Sequence, residues 1–289
     1  MSDDVFAAVV RDHRPALRDA ALHAAFKLGV FEGGEVATTP RLRALTDVLV
    51  LEGALKRDGG RLVPAIVPPR PAPPPPFGFG RLADVLRSGR PLPTEAHTAD
   101  LHRHLAEVGA AAARALVAQR LVPGPRLLDI GGGAGAYTTA WLEASPAHAA
   151  TLVDLPPVVA LARERLPEAR VSFIEGDALE APLGDGYDGA LLANVLHLHG
   201  PEVCAALVAR AAEAVRHGGV VLIKDLRIAP DRSGPPTALY FALSMALYTE
   251  AGDVWEAERI AGWLSDAGLV DVEARDLSDG ATIVFGQRT

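Results

Sequence analysis

Glycines are concentrated in one short segment of this sequence, and this clustering is typical of a ligand-binding loop. The segment at 128–135 reads LDIGGGAG and follows an apolar run of strand length. Glycine allows a ligand to approach the backbone closely, and the start of a following helix offers unpaired N–H groups. The spacing matches the dinucleotide-binding fingerprint, for which a tight packing turn is the competing interpretation. The segment therefore predicts a site for NAD or another adenosyl cofactor, without choosing between them.

Two aspartates stand just after later apolar runs, where a bound nucleotide could contact them. Asp154 ends the second run, and a carboxylate there can accept hydrogen bonds from a ribose diol. Because Pro156 and Pro157 follow, Asp154 is also suited to capping the next helix, and the two roles are compatible. Asp177 follows the third run, where it can accept from the exocyclic amine of adenine or simply close a turn.

The elements that position these residues alternate between strand and helix patterns from about residue 125 onward. Apolar runs of strand length lie at 126–130, 150–154, 171–174, 188–193 and 219–224. Helical patterns lie between them at 137–143, 157–166 and 201–216. This alternation predicts a parallel sheet with helices on both faces. Two further strands at 271–275 and 282–287, around a turn at 277–280, predict an antiparallel hairpin that completes seven strands.

The first 66 residues have a mostly helical pattern. Apolar residues recur at helical spacing at the N-terminus, and a helix is predicted over 40–51, where Pro40 occupies the favourable first turn. Residues 55–63 predict a short hairpin around an Asp-Gly turn, and helices followed by such a hairpin resemble a winged-helix module. Because the predicted recognition helix has only Arg41 and Arg43 as basic residues, a dimerisation or substrate-cap role is favoured over DNA binding.

A proline-rich segment separates the two parts of the chain. Residues 67–76 read VPPRPAPPPP, and a run with seven prolines in ten residues cannot form a helix or a central strand. Further helices are predicted at 82–87 and 100–119. We therefore predict a helical domain over 1–66, a connector over 67–80, linking helices over 81–124 and an α/β domain over 125–289.

Composition excludes several classes of protein. The 289 residues are 49% hydrophobic and 22% charged, which is typical of a globular protein with a real core. No apolar run reaches the ~18–20 residues of a membrane span, and the opening MSDDVF does not resemble a signal peptide. A single cysteine, Cys204, permits no intrachain disulfide and no cysteine-rich zinc site, as expected in a reducing cytoplasm. The net charge of −8 argues against nucleic acid as a partner.

Five motifs occur in a fixed order between residues 129 and 225, namely DIGGGAG, VDLPPVV, EGDAL, NVLH and GGVVLIKD. With LGVFE, LRSGRP and a closing AGL plus hairpin, they resemble class I S-adenosylmethionine-dependent methyltransferases. The narrower resemblance is to small-molecule O-methyltransferases of plant phenolic and bacterial natural-product pathways. The resemblance covers nearly the whole chain. It implies a Rossmann-like seven-stranded α/β sheet preceded by a winged-helix-like dimerisation domain.

The resemblance implies a site for S-adenosyl-L-methionine, which would leave as S-adenosyl-L-homocysteine. Asp129, Gly131 and Gly133 would line its methionine end. Asp154 would hold the ribose with Leu155 beside it, and Asp177 would lie at the adenine. The expected cofactor-binding residues are Asp129, Gly131, Gly133, Asp154, Leu155, Asp177, Ala178 and Asn194.

The resemblance also implies a general base. His197 matches the family's histidine after the fourth strand, Asp225 matches an acid that orients it, and Glu256 is the nearest candidate for a second acid. A phenol has a pKa near ~10, so a base is useful at neutral pH. The usual HDW pattern is replaced here by His197-Leu198-His199, which makes His199 a second candidate or a substrate contact. Two histidines at this spacing also suit a metal, but no companion carboxylate is evident, and no metal site is predicted.

Substrate contacts are expected in the segment 240–255. Its apolar and aromatic residues and a flexible thioether suit a flat aromatic acceptor, although the same residues are equally suited to a helix core. The expected substrate-binding residues are His199, Phe241, Met245, Tyr248 and Trp255.

These observations together predict a cytoplasmic methyltransferase. It would move a methyl group from S-adenosylmethionine to a hydroxyl, or a ring nitrogen, of a small aromatic metabolite. We expect a homodimer through the N-terminal domain and neither nucleic acid nor a membrane as a partner. Two alternatives stay open on the sequence: an NAD-dependent oxidoreductase with the same glycine loop, and a winged-helix regulator that senses a ligand without catalysis.

Overall fold

A computed structural model describes residues 5–32, 36, 39–72, 74, 78–93, 99–277 and 280–289. The helices in these ranges are α1 (Val5–Lys27), α2 (Pro40–Leu51), α3 (Leu82–Ser88), α4 (Ala99–Val117), α5 (Ala136–Ala144), α6 (Pro156–Arg165), α7 (Pro201–Ala214), α8 (Pro236–Tyr248) and α9 (Ala257–Asp266). The strands are β1 (Leu55–Asp58), β2 (Arg61–Pro64), β3 (Arg126–Ile130), β4 (Ala149–Asp154), β5 (Val171–Glu175), β6 (Tyr187–Ala193), β7 (Val215–Leu226), β8 (Leu269–Asp276) and β9 (Ala281–Arg288). Short 3-10 turns occupy Gly78–Arg81 and Leu196–Leu198.

The large sheet has seven strands in the order β5-β4-β3-β6-β7-β9-β8. Strands β3 to β7 are mutually parallel, whereas β9 lies antiparallel between β7 and β8. The predicted α/β sheet with an antiparallel C-terminal hairpin is therefore confirmed. Strand β3 has β4 on one side and β6 on the other, so the chain order reverses there. In open α/β sheets, ligands bind at the carboxyl ends of the strands beside such a switch point.

The N-terminal helices and hairpin form as predicted. Helix α2 begins at Pro40, and the Thr39 hydroxyl oxygen accepts a hydrogen bond from Leu42 N at 3.2 Å. Strands β1 and β2 pair from Leu55–Pro64 to Asp58–Arg61, around two glycines with positive φ. Positive φ at both central residues is what a tight two-residue hairpin turn requires.

Helix α8 follows the five parallel strands in the chain but packs against the N-terminal helices. Its Leu239, Tyr240 and Leu243 are buried in one hydrophobic cluster with side chains of α1, α2 and α3. The cluster includes Leu45 and Leu49 of α2, which are fully buried. The helical part of the molecule is thus completed by a segment from within 125–289. The domain boundaries set out above stay predictions.

Two details of the sequence interpretation need comment. The helix predicted over 201–216 ends at Ala214, so its predicted end is wrong. Val215 is already extended, and Arg216 Nε donates to Oδ1 of the buried Asp188 at 2.7 Å, which draws this residue into strand β7. Parts of the predicted connector (73 and 75–77) and of the C-terminal turn (278–279) lie outside the described residues.

Candidate active site

The glycine loop links strand β3 to helix α5 and is shaped by backbone angles that favour glycine. Gly131, Gly133 and Gly135 have φ values of 68°, 57° and 86°. A Cβ on Gly131 would lie 2.7 Å from Val195 Cγ2, and one on Gly135 would lie 2.6 Å from Leu166 Cδ1. At Gly133, by contrast, an added Cβ meets no atom closer than 3.9 Å. The loop is therefore packed against the protein at both ends and open at Gly133, where a ligand could approach the backbone.

Asp154, at the end of β4, is bound to the glycine loop. Its Oδ2 accepts a hydrogen bond from Gly133 N at 2.8 Å, and its Oδ1 accepts one from Leu155 N at 2.8 Å. A carboxylate has about four lone-pair sites, so each oxygen can accept one more hydrogen bond. Asp154 therefore stabilises the glycine loop and can still accept hydrogen bonds from a ligand beside it.

Asp129 lies beneath the same loop and is 1% exposed. Burial raises the pKa of Asp129 to about 6, although Thr138 Oγ1 donates to its Oδ2 at 2.6 Å. The negative charge of Asp154 contributes to this raised pKa. Buried carboxylates with a raised pKa are typical of functional sites, because hydrogen bonds or a positive charge from a ligand can offset the free-energy cost of burying the negative charge.

The other predicted cofactor residues lie at the same edge of the sheet. Asp177 is exposed after β5, and its Oδ1 closes a turn by accepting from Leu179 N at 2.8 Å. Ala178 packs half-buried against the hydrophobic core beneath it. Asn194 is exposed after β6 with φ of 58°, and its Oδ1 accepts from the buried Lys224 Nζ at 3.3 Å.

His197 and Asp225 form a buried pair at the neighbouring strand ends. His197 Nδ1 lies 2.7 Å from Asp225 Oδ1, and the backbone N–H of His197 donates to Asp225 Oδ2 at 3.2 Å. The two side chains are 9% and 3% exposed. The ring of Phe241, from helix α8, meets the imidazole edge to face with centroids 4.8 Å apart. The structure therefore brings three of the predicted residues into one group.

The charge state of Asp225 determines which nitrogen of His197 is a base. Burial opposes ionisation of Asp225, but the adjacent His197 and the hydrogen bond from Leu226 N hold the pKa of this carboxyl below its ordinary value. An ionised carboxylate only accepts hydrogen bonds, so His197 Nδ1 must be the donor. In the neutral imidazole the lone pair is then on Nε2, the arrangement that a general base needs.

His199 is the second histidine of this turn, and its side chain is half-buried. Burial lowers the pKa of His199; the negative charge of Asp177 opposes this effect and the proximity of His197 adds to it. His199 is therefore near both the predicted base and the predicted adenine contact. It lies in the site, and its role there stays a prediction.

The remaining predicted substrate residues are divided between two locations. Met245 is buried and Tyr248 half-buried, further along α8 from Phe241. Trp255 is 5% exposed and lies behind the His197 turn, in the core beside Trp263. Its Nε1 donates to the carbonyl oxygen of Leu196 at 3.1 Å. Trp255 thus touches the backbone next to the predicted base.

Glu256 lies in a different cluster from the one expected. Its Oε1 accepts from Arg232 Nη1 at 2.9 Å, and in the described part of the chain no hydrogen bond or ion pair joins it to His197. Arg232 is 7% exposed and also donates to Asp47 at 2.6 Å and to Asp253 at 2.9 Å. Sequence reasoning missed Arg232, because an arginine in a Pro- and Gly-rich segment gives no signal of burial and its partners are distant in the chain.

The described part of the chain contains neither a cluster of metal-ligating side chains nor a membrane-spanning helix. Within it, no group of three or more His, Cys, Asp or Glu side chains is arranged to hold a metal ion. No helix described there is long and apolar enough to cross a membrane.

Comparison of the sequence with known protein families identifies one match. The pattern of the O-methyltransferase domain matches residues 94–270. A 3-hydroxy-5-methyl-1-naphthoate 3-O-methyltransferase of Streptomyces sahachiroi is 36% identical over 161 residues, which are 54% of this chain and 46% of that protein. Acetylserotonin O-methyltransferase of Bos taurus is 36% identical over 166 residues, 56% of this chain and 48% of that one. The matched segments thus span about half the length of these relatives.

Solved structures share the whole fold. An O-methyltransferase family 2 protein from Planctomyces limnophilus, solved in complex with apigenin, has a TM-score of 0.74 at 22% identity and covers 99% of this chain and 96% of its own. Human N-acetylserotonin methyltransferase, solved in complex with SAM, has a TM-score of 0.65 at 24% identity and covers 97% of each chain. At such identities the likeness shows the fold alone.

Proposed function

This chain belongs to the O-methyltransferase domain family, and from that membership we propose that it transfers the methyl group of S-adenosylmethionine to a hydroxyl of a small aromatic metabolite. The observation that carries the proposal is the buried His197–Asp225 pair beside the glycine loop. The named relatives act on a naphthoate and on acetylserotonin, both aromatic, which supports an aromatic acceptor. Transfer to a ring nitrogen is the second candidate, since it needs little help from a base.

The residues at the sheet edge fit the adenosyl cofactor. The glycine loop is open only where Gly133 faces outward, so an adenosyl ligand could lie against its backbone. Asp154 keeps lone pairs for the two hydroxyls of a ribose, and the exposed Asp177 keeps one carboxylate oxygen for an adenine amine. Asp129, buried with a raised pKa, would gain from a cationic amino group nearby.

The proposed mechanism assigns one task to each side chain. When bound, the cofactor would supply an electrophilic methyl group on a sulfonium, whose carbon–sulfur bond would break as S-adenosylhomocysteine leaves as the thioether. His197 Nε2 takes the proton of the acceptor hydroxyl as its oxygen forms the bond to the methyl carbon. Asp225 keeps Nδ1 protonated and stabilises the positive charge that develops on the imidazole. Phe241 packs against the imidazole and helps to exclude water from it. Holding the reacting atoms in line supplies much of the rate acceleration.

Helix α8 connects the N-terminal helices to the proposed acceptor site. Because this helix packs in the cluster with α1, α2 and α3, the N-terminal helices fix the wall that carries Phe241, Met245 and Tyr248. A cap on the acceptor site is therefore the role that we propose for the N-terminal part. Dimerisation through that part, a cytoplasmic location and the exclusion of nucleic acid stay predictions.

Titration calorimetry and methyl transfer test the proposal. We expect micromolar binding of S-adenosylmethionine and S-adenosylhomocysteine, and none of NADH. With labelled cofactor and a panel of phenols and nitrogen heterocycles, His197→Ala should lower turnover of a phenol by about 10²–10⁴-fold and leave cofactor binding nearly unchanged.

Three outcomes would contradict this proposal. Binding of NADH alone would favour the oxidoreductase alternative. Unchanged turnover of a phenol in His197→Ala would remove the base from the mechanism. Methylation confined to nitrogen heterocycles would support the second candidate instead.

A further inference from the structure

The carbonyl oxygen of Leu196, one residue before His197, has three hydrogen-bond donors around it. Trp255 Nε1 donates to it at 3.1 Å, and Cys204 Sγ lies 3.3 Å away as a second side-chain donor. His199 N donates to the same oxygen at 3.1 Å, within the turn itself. A carbonyl has two lone pairs, so this peptide is held from several directions. The peptide plane preceding His197 is therefore fixed by side chains outside its own turn.

The segment 251–255 is also packed tightly against the His197 turn, which is the 3-10 turn Leu196–Leu198. A Cβ on Gly252 would lie 2.4 Å from the carbonyl oxygen of His197 and 3.1 Å from the carbonyl carbon of Leu198. A Cβ on Gly200, at the other end of the turn, would lie 2.9 Å from Ala251 Cβ. Since real Cβ atoms do not approach other atoms so closely, both glycines are needed for this fit.

The segment is itself anchored on its far side. Arg232 donates to Asp253 Oδ1, to the carbonyl oxygen of Val254 and to Glu256 Oε1, each at 2.9 Å. The residues on either side of Trp255 are thus fixed by one buried guanidinium. The same guanidinium donates to Asp47 on α2, which ties the segment to the N-terminal helices.

We propose that the segment 251–255 positions the general base, with Trp255 and Gly252 as positioning residues that hold the His197 turn against Asp225. This inference rests on the proposed function and goes beyond it, because Trp255 then acts through the backbone of the turn rather than on the acceptor. A displacement of His197 of about 1 Å would be enough to cost ~10²-fold in rate. Trp255 and Gly252 should therefore affect turnover more than binding.

Two substitutions disturb the turn in different ways, and the chain offers a matched control for each. Trp255→Phe removes the donor to Leu196 and keeps an aromatic ring, while Trp263→Phe alters the neighbouring tryptophan. Gly252→Ala inserts a methyl group against His197, while Gly262→Ala inserts one in helix α9, where nothing lies within 4 Å. We expect kcat to fall about 10–100-fold in the two test variants, with KM and the Kd of S-adenosylhomocysteine within about twofold of the wild type. The two controls should keep the wild-type kcat.

A second measurement separates this inference from the proposed function. In protein labelled with ¹⁵N-histidine and free of ligands, we expect the His197 Nδ1 proton, which is donated to Asp225, to give a downfield NMR resonance. We expect this resonance to shift or broaden in Trp255→Phe and Gly252→Ala but not in the controls. If the wild type methylates no acceptor, the proposed function fails while the spectra still test the positioning.

Three outcomes would overturn the inference. The first is an unchanged resonance and kcat in both test variants. The second is a loss of kcat of the same size in the controls. The third is a rise in KM at constant kcat in Trp255→Phe, which would make Trp255 a substrate contact.

Discussion

Replacing Asp129 by asparagine should stabilise the folded protein while weakening the cofactor site. The carboxyl of Asp129 is 1% exposed, and burial raises its pKa from 3.8 to about 6. At ~1.36 kcal/mol per pKa unit, keeping this group ionised at neutral pH costs about 3 kcal/mol of folding free energy. Asparagine removes the charge and keeps an oxygen for Thr138, although its buried amide offsets part of the gain. We expect a net gain of about 1–2 kcal/mol, or a rise in Tm of about 2–6 °C.

The gain has a definite dependence on pH. The carboxyl of Asp129 has a higher pKa in the folded than in the unfolded protein, so the wild type loses stability as the pH rises from about 4 to about 6. The advantage of Asp129→Asn should therefore be small at pH 4, grow up to pH 6 and stay constant above it. Chemical denaturation of both proteins at several pH values measures this directly. Binding of S-adenosylhomocysteine should weaken by about 10–100-fold, as expected for the loss of a charged hydrogen-bonding group.

Two results would refute this reasoning. One is a variant that is less stable than the wild type at pH 7.5, which would mean that the charge of Asp129 is compensated inside the folded protein. The other is a stability difference that does not change between pH 4 and pH 7. Thr138→Val serves as the control, because it removes the hydrogen bond but leaves the charge in place.

Three further predictions follow from buried charged groups. Arg232→Met removes the buried cation that pairs with three carboxylates and should lower the free energy of unfolding in urea by about 3–5 kcal/mol. The control variant Arg275→Met, at an exposed ion pair, should lower it by less than about 0.5 kcal/mol. Asp225→Asn should lower kcat on a phenol by about 10²–10⁴-fold in a methyl-transfer assay, because an amide no longer ensures that His197 Nε2 is the basic nitrogen. Burial lowers the pKa of His199, so the wild type should lose stability as the pH falls below ~6.5. Between pH 7.5 and pH 5.5 the free energy of unfolding, measured by chemical denaturation, should therefore fall less in His199→Gln than in the wild type.

Each of these predictions has a result that contradicts it. Equal losses in the two arginine variants would show that the carboxylates around Arg232 are solvated rather than dependent on it. A kcat of Asp225→Asn within threefold of the wild type would mean that orientation by Asp225 does not matter. The same slope of stability against pH with and without His199 would mean that its burial is not retained in solution.

The local pattern of the sequence was sufficient for most of the elements. Alternating apolar runs and helical periodicity predicted the strands of the sheet, the parallel direction of the first five and the antiparallel C-terminal hairpin, because these signals depend on residues close together in the chain. The end of the helix predicted over 201–216 was wrong, since Arg216 is drawn into β7 by Asp188, a residue that lies on another strand. No periodicity signals an interaction of that kind.

Some residues of the candidate site could be identified from the sequence, whereas the contacts between them required the structure. The glycine loop and Asp154 were recognisable in the sequence, because each stands at the end of a strand whose direction the pattern implies, whereas His197 and Asp225 were assigned from the resemblance to a family. The structure alone brings His197 within 2.7 Å of Asp225 and joins Glu256 to Arg232. It also places Trp255 behind the base. These contacts join residues from separate parts of the chain, and their partners are determined by how helices and loops pack on the sheet, which no local pattern encodes.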